Sequence, residues 1–590
     1  MVMRSLKFWA SSLLCATLLR ECHAQQSDAN IGSELGGKLS SGASIYFPGS
    51  DLFNNATARW SQWGKPNISV VVEVANKWDV AETVKYATKH DVPFIAINGG
   101  HGNIETLENV HQGIEIWMHK LNTVDISDDT ATFGGGILSH QVIESLWAAG
   151  KQTVTGVCDC TGFLGPALGG GHGYLQGRHG LIADNFVSLE VVTADGKIRT
   201  VTRDGPESDL FWAMQGAGHN FGIVTSVTQK IYDVPNNGVW SFVKHTYTQD
   251  KLELLFQYLN ILGWNGQRVD VMYWATISRD AEIDPVNEGV ETLDATVSRS
   301  LLNFAPEKTV THSGPYVDIS KWTEFNIGSR ACDKGDEGPQ IVRFPLNLKT
   351  YNLEALRRAF NAFAEETVAH PDFEHSTIML EGYSNQGVQA VDPASTAYAH
   401  REDTILVSSV IIFEKETDRP AAEAFGDRIR DILHEGSGEP EKHVYVNYAS
   451  GDEPLESMYG YEPWRQSKLS ALKRKYDPEN RFGFYAPIPA ADWVFIIQKK
   501  RGKCHHMAYQ AAINHFCTST RASSYFARSV NTNTGQQGKI IHVTGTTATG
   551  FFLEFKRNYD FATEDRKYQI MPLVDVEERY VADTVGDGKM

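Results

Sequence analysis

Glycine sits in this chain in runs that follow strand-like segments, and those runs restrict what the backbone can fold around. The β-branched stretch Pro93-Phe94-Ile95-Ala96-Ile97 leads directly into Asn98-Gly99-Gly100-His101-Gly102-Asn103. Consecutive glycines there let backbone N–H groups approach an anion such as a pyrophosphate. One such turn is a weak signal, because a glycine turn after a strand is usually only a turn. A second run changes the weighting: Gly156-Val157-Cys158-Asp159-Cys160-Thr161-Gly162-Phe163-Leu164-Gly165, then Gly169-Gly170-Gly171-His172-Gly173 and Arg178-His179-Gly180-Leu181. So much glycine in a globular chain points to backbone lying against a flat or charged ligand.

The elements around these runs alternate. Ile68 to Val74 is β-branched, Asp79 with Glu82 reads as a capping box, and Val80, Val84 and Ala87 recur at helical spacing before Pro93, which predicts β-α-β. Leu189 to Thr193 and Lys197 to Val201 around Asp195-Gly196 predict a hairpin, followed by Asp209 to Met214 and Gly216 to Val224. No GxGxxG stands between a strand and a helix, so a nicotinamide-type Rossmann domain is disfavoured. Further on, strands are predicted at Val269 to Ile277 and Thr404 to Phe413, with amphipathic helices at Leu353 to Phe363 and Ala421 to Leu433 packing on a sheet.

A length of 590 residues implies several folding units. The formal charge of −18 argues against a nucleic-acid or anionic-membrane partner, either of which needs clustered Lys and Arg. Arg4, Lys7, the apolar run Phe8 to Leu19 and a small residue at Ala24 predict a signal peptide over 1–24 and hence secretion. No later run reaches the roughly 18 apolar residues of a membrane span. Sequons at Asn55 and Asn67 agree with export and predict a glycoprotein. Loss of Cys15 and Cys22 with the signal leaves five cysteines, an odd number for an oxidising compartment, so at least one has another use.

The order of motifs, Ile97-Asn98-Gly99 with GGHG, GVC with GGGHG, HGLIADN, EVVTADG, DLFWAMQGAG and NFGIVT, then Tyr445-Val446-Asn447-Tyr448 and the stretch reaching Arg481-Phe482, resembles the berberine bridge enzyme-like family across roughly residues 40 to 490. The resemblance implies FAD as cofactor, held in a PCMH-type FAD-binding domain of the vanillyl-alcohol-oxidase kind. It implies that His101 carries the flavin 8α methyl and that Cys158, placed by its spacing to the GGG run, bonds flavin C6. A neutral imidazole nitrogen and an activated thiol are both competent nucleophiles for this. A Cys158–Cys160 disulfide spans too little chain, which leaves one of the two linked and the other free or buried, and Cys332 is the candidate for the free cysteine. The resemblance further implies that Gly99, Gly100, Gly102 and Asn103 offer amides to the pyrophosphate. By the same reasoning Gly165, Gly170, Gly222 and Val224 line adenine and flavin, and Asn447 reaches the cofactor.

The chemistry needs a base for a hydroxyl or amine proton while hydride leaves for the flavin. Tyr448 is the first candidate, since the aromatic after that Asn faces the substrate in relatives; a core tyrosine behind the cofactor is the alternative. His172 departs from the family's tyrosine and is either a base or a space-filling residue. Glu381, Gln386 and Gln389 are further pocket candidates in a strand-like stretch. The fold class is α+β: a two-subdomain FAD-binding domain over 25–235, an antiparallel-sheet substrate domain backed by helices over 236–440, and a family segment over 441–492 returning to the FAD domain. A C-terminal extension over 493–590 has no assigned role. In it Cys504-His505-His506 and His515-Phe516-Cys517 fit a disulfide at least as well as zinc, so no metal is expected, while Gly538 to Gly545 and Gly550 to Lys556 read as strands. The function expected is that of a monomeric oxidase taking hydride from a small alcohol, sugar or secondary-metabolite substrate, with molecular oxygen as electron acceptor. The alternatives are a dehydrogenase, an oxidative cyclase, or a non-catalytic FAD-binding protein.

Overall fold

The computed structural model describes residues 31–235, 238–264, 266–278, 282–288, 299–335, 338–490, 525–528, 540–545 and 551–555. The expected signal peptide and the Cys/His cluster of the tail lie outside the described residues. Two compact units divide the chain, one comprising residues 1–472 and 481–488, the other 473–480 and 489–590.

In the first unit the predicted β-α-β is present, with one refinement. Strands β1 (Ser44–Tyr46), β2 (Ile68–Glu73), β3 (Phe94–Ile97) and β4 (Gly113–Trp117) form a sheet of order β1-β2-β4-β3, so β4 lies between the two strands that helix α1 (Lys77–Lys89) connects, parallel to both. Helix α1 begins a turn earlier than Asp79 suggests. Asn76 is its cap, accepting from the Trp78 and Asp79 amides, and Asp79 closes the box from the third helical position by accepting from Asn76 N. Val70, Val72, Ile114 and Ile116 bury one sheet face against Val80, Val84 and Ala87 of α1. Val71 and Trp117 cover the other with Phe53 and Ala56.

A second sheet, β5 (Val124–Ser127), β6 (Thr130–Gly134), β8 (Phe186–Val192), β9 (Ile198–Thr202) and β10 (Ile223–Lys230), is antiparallel throughout, and β8-β9 is the predicted hairpin. The short strands β7 (Lys151–Gln152) and β11 (Tyr232–Asp233) pair with each other.

The substrate-domain sheet has seven antiparallel strands: β12 (Val239–Thr246), β13 (Val271–Ile277), β14 (Glu282–Glu288), β15 (Lys308–Pro315), β16 (Gln340–Leu348), β17 (Thr377–Gly382) and β18 (Ile405–Phe413), in the order β15-β12-β14-β13-β17-β18-β16. Alternation assigns its two faces. Tyr273, Leu380, Val407 and Phe344 join the core formed with α2 (Leu252–Trp264), α3 (Leu353–Ala369) and α4 (Arg419–Ser437). Trp274, Glu381, Ser408 and Arg343 point the other way, one from each of four neighbouring strands. In the second unit, β19 (Tyr525–Arg528), β20 (Ile540–Gly545) and β21 (Phe551–Phe555) form a small antiparallel sheet, so both predicted tail strands are present. Among the described residues, no helix is long and apolar enough to cross a membrane.

Candidate active site

The loop after β3 presses directly on the second glycine run. A Cβ on Gly99 would lie 2.6 Å from Gly162 N and 2.7 Å from the Cys160 carbonyl, so only hydrogen fits there. Gly100 has φ +70°, a left-handed conformation that glycine adopts without strain. Asn103 Nδ2 donates to the Ile341 carbonyl at 2.8 Å and thereby fastens this turn to β16 of the substrate domain. His101 stacks on Trp60 with centroids 5.6 Å apart, and its Nε2 stands 3.2 Å from Cys160 Sγ. Burial pushes the His101 imidazole down to about 3, and the positive charges of Lys334, Arg343 and Arg59 add to the effect. The ring is therefore neutral and nucleophilic at any working pH.

Cations collect around this turn. Arg59 Nη2 donates to the Gly102 carbonyl at 3.0 Å, while its buried Nε and Nη1 have no hydrogen-bond partner among the described residues. Lys334 Nζ lies 3.8 Å from the position of a Cβ on Gly100. Beneath them Glu115 of β4 is fully buried, its carboxyl pushed up to about 8 by that burial. Unpartnered buried guanidinium nitrogens beside a glycine turn suit a phosphate-bearing cofactor such as FAD, whose anionic group would occupy them.

The other predicted contacts divide. Gly170 has φ +104° and lies against the Tyr398 ring, where a Cβ would come within 2.7 Å. A Cβ on Gly165 would meet only open space, and its carbonyl faces His219 Nε2 at 2.7 Å. Gly222 packs on Val191 and Val192, and Val224 is a buried residue of β10 opposite Val191. Asn447 donates from Nδ2 to Pro166 O at 2.8 Å and Tyr445 Oη at 2.6 Å, holding the family segment against the glycine run.

Tyr448 and Glu381 meet on the open face of the substrate-domain sheet. Tyr448 donates to Glu381 Oε1 at 2.8 Å, and Tyr383 donates to Oε2 at 2.9 Å. Burial raises the Glu381 carboxyl, a shift that the two tyrosine donors and Arg343 partly offset. Arg343 lies over the Tyr448 ring at 4.5 Å and over Trp60 at 5.4 Å, with Nη1 donating to Ser408 Oγ at 3.1 Å. It thus links the His101 side to the Tyr448 side.

His172 has both nitrogens engaged: Nδ1 with Gln176 Oε1 at 2.9 Å and Nε2 with Tyr398 Oη at 3.0 Å. Since the Gln176 oxygen can only accept, Nδ1 carries the hydrogen and Nε2 accepts from the tyrosine. Burial pushes this ring down to about 4, and the rings of Tyr383, Tyr398 and Tyr445 surround it.

Two expectations are corrected. Gln386 and Gln389 belong to a short helix, Gln386–Gln389, and not to a strand, which ends at Gly382, and both are exposed. Cys332 is not free. It is bonded to Cys160, and among the described residues Cys158 is the free thiol. The sequence reading also passed over Arg59, Lys334 and Arg343. The last had a signal: a lone cation inside the otherwise apolar Ile341-Val342-Arg343-Phe344.

Comparison with known proteins agrees with this geometry. Residues 68–202 match the model of an FAD binding domain, and 444–489 match the berberine and berberine-like family. Residues 509–587 match a separate family of unknown function. An FAD-linked oxidoreductase of Penicillium rubens is 43% identical over 496 residues, covering 81% of this chain and 98% of the relative. Physcomitrella patens BBE-like 1 superimposes with a TM-score of 0.68 at 20% identity, covering 78% of this chain and 98% of that one. Glucooligosaccharide oxidase from Acremonium strictum, a protein with a 6-S-cysteinyl, 8α-N1-histidyl FAD, does so with a TM-score of 0.66 at 20% identity over 78% of this chain and 99% of its own. The chain is an FAD-binding oxidoreductase and belongs to the berberine bridge enzyme-like family.

Proposed function

We propose that this protein is a secreted oxidase that holds FAD covalently through His101 and Cys158 and oxidises a small alcohol, sugar or secondary-metabolite substrate. FAD held there supplies the hydride acceptor, and molecular oxygen takes the electrons to give hydrogen peroxide. The observation that carries the reading is the hydrogen bond from the half-buried Tyr448 to the buried Glu381 on the sheet face opposite the helices.

Tyr448 by itself is a poor base, because burial and the adjacent Glu381 carboxylate raise its phenol well above its ordinary value. Coupled to Glu381 it need not ionise first. As the substrate hydroxyl gives its proton to Tyr448 Oη, the tyrosine's own proton passes to Glu381 Oε1. Tyr383 holds the other carboxylate oxygen, so the accepting atom stays oriented toward Tyr448. Arg343 helps to keep Glu381 ionised, and so ready to accept, before the transfer. His172 serves this site as scaffold, its lone pair being occupied by Tyr398.

The test is Tyr448→Phe, which removes the hydroxyl and nearly preserves the ring. Anaerobic flavin reduction by a substrate found through peroxide release should slow about 10²- to 10⁴-fold with the bound-flavin spectrum intact. Reduction at the wild-type rate would show that the tyrosine only packs.

A further inference from the structure

Three sulfurs crowd one point beside His101. Cys160 and Cys332 are bonded to each other, and the remaining thiol, Cys158, has its Sγ 3.4 Å from Cys160 Sγ and 3.8 Å from Cys332 Sγ. Cys332 comes from the loop following Trp322, which lies on the Cys158 segment through Asp159 N donating to Phe325 O at 3.0 Å. The same loop carries Lys334 over Gly100 and donates from Gly335 N to the Arg59 carbonyl at 3.2 Å.

We infer that Cys158, Cys160 and Cys332 form a thiol–disulfide exchange site whose isomer decides whether the flavin can be attached at Cys158. The inference rests on the proposed attachment of flavin at that sulfur. In the exchange, the Cys158 thiolate attacks Cys332 Sγ and the Cys332–Cys160 bond breaks. The electron pair leaves on Cys160 Sγ, which takes up the proton that Cys158 gave up. Nothing is oxidised or reduced overall, so no outside reagent enters. Attack on Cys332 rather than Cys160 follows from chain geometry, because a Cys158–Cys160 bond would close across a single residue.

The two isomers present different groups to the flavin. With Cys160–Cys332 bonded, Cys158 is a free nucleophile and the Cys160 sulfur cannot donate to His101. With Cys158–Cys332 bonded, no free thiol remains at position 158. The released Cys160 thiol, 3.2 Å from His101 Nε2, donates there and places the imidazole hydrogen on Nδ1. Burial pushes the Cys158 thiol up, which keeps its thiolate scarce and makes exchange slow, so an isomer set during folding persists.

Cys160→Ser tests this, because it removes a residue that is not itself the attachment point. Left without its partner, Cys332 should be oxidised together with Cys158 by a small-molecule disulfide such as oxidised glutathione, two thiols losing two electrons and two protons. The full-length holoprotein is acid-quenched, alkylated, digested without reductant and mapped by mass spectrometry. Wild type should show the Cys160–Cys332 bond and flavin on the Cys158 peptide. C160S should show a Cys158–Cys332 bond and flavin on the His101 peptide alone, and C160S/C332S should regain flavin on Cys158. C160S that keeps flavin on Cys158 with Cys332 alkylated overturns the inference. A second reading needs no substitution: wild-type molecules lacking flavin on Cys158 should carry Cys158–Cys332 with Cys160 alkylated, and finding them with Cys160–Cys332 intact also overturns it. Should wild type never carry flavin on Cys158, the attachment reading fails by itself. The disulfide map of C160S then still decides the exchange site, a Cys158–Cys332 bond supporting it and two alkylated thiols refuting it.

Discussion

Arg343 stands between the two halves of the site, its guanidinium 4.5 Å from the Tyr448 ring and 5.4 Å from the Trp60 ring. Its charge acts on Glu381 as well, where it opposes the upward push of burial. Removing that charge leaves the push opposed only by the neighbouring hydrogen-bond donors, so the Glu381 carboxyl should rise further. The proton acceptor of the proposed relay must be ionised to work, and its acidic limit should therefore move to higher pH. In Arg343→Met, flavin reduction measured anaerobically across pH should show its acidic limb displaced upward. On that limb each unit of displacement lowers the rate about tenfold. A limb that stays in place while the rate falls uniformly would assign Arg343 to packing against Tyr448 and Trp60 instead.

At the scale of elements, the substrate domain depends on how closely α4 approaches β16. Gly426 of α4 faces Phe344, and a Cβ there would come within 2.0 Å of its ring. Gly426→Ala should therefore overpack the helix-sheet seam and cost about 1–3 kcal/mol, read as a lowered urea midpoint with an unchanged slope. An unchanged midpoint would mean that the seam yields. Elements of this kind were legible in the sequence wherever one face is apolar: α3 and α4 were placed within a few residues of their starts, and the β8-β9 hairpin followed from Asp195-Gly196. What local pattern could not carry was pairing across long separations. Nothing near Phe94 says that β4 enters between β2 and β3, nor does anything near Cys332 say that its partner lies 172 residues earlier. The site followed the same division. His101 and Tyr448 announced themselves through short motifs, whereas Arg343 acquires its role from β16 lying beside β18.

Across the whole molecule, several histidines are buried in the neutral form, and this sets a pH limit on stability. Burial pushes His172, His219 and His400 each down to about 4 in the folded protein. An unfolded histidine titrates near ~6.5. Between those values the unfolded chain binds protons that the folded one does not, so acidification favours unfolding. The loss begins as pH falls through about 6.5 and levels off near 4, at an upper bound of about 1.4 kcal/mol per pH unit for each histidine. His443 works in the opposite sense: its pairing with Asp403 at 3.0 Å raises it, so its contribution is full below the unfolded value and fades as pH rises through the folded one. Glu115, held near 8, acts in the same sense: stability falls as pH rises from about 4.5 to 8, where only the unfolded carboxyl ionises, and the loss is complete above that. These opposed slopes place the stability maximum close to neutrality. Differential scanning fluorimetry should show the melting midpoint falling on acidification from pH 6.5 to 4.5, above the range in which carboxylates such as Asp195, held down to about 2, begin to protonate. His219→Gln keeps a hydrogen-bond donor toward the Gly165 carbonyl but cannot titrate, and it should flatten that descent; an equally steep fall in this variant would assign the acid sensitivity to other groups.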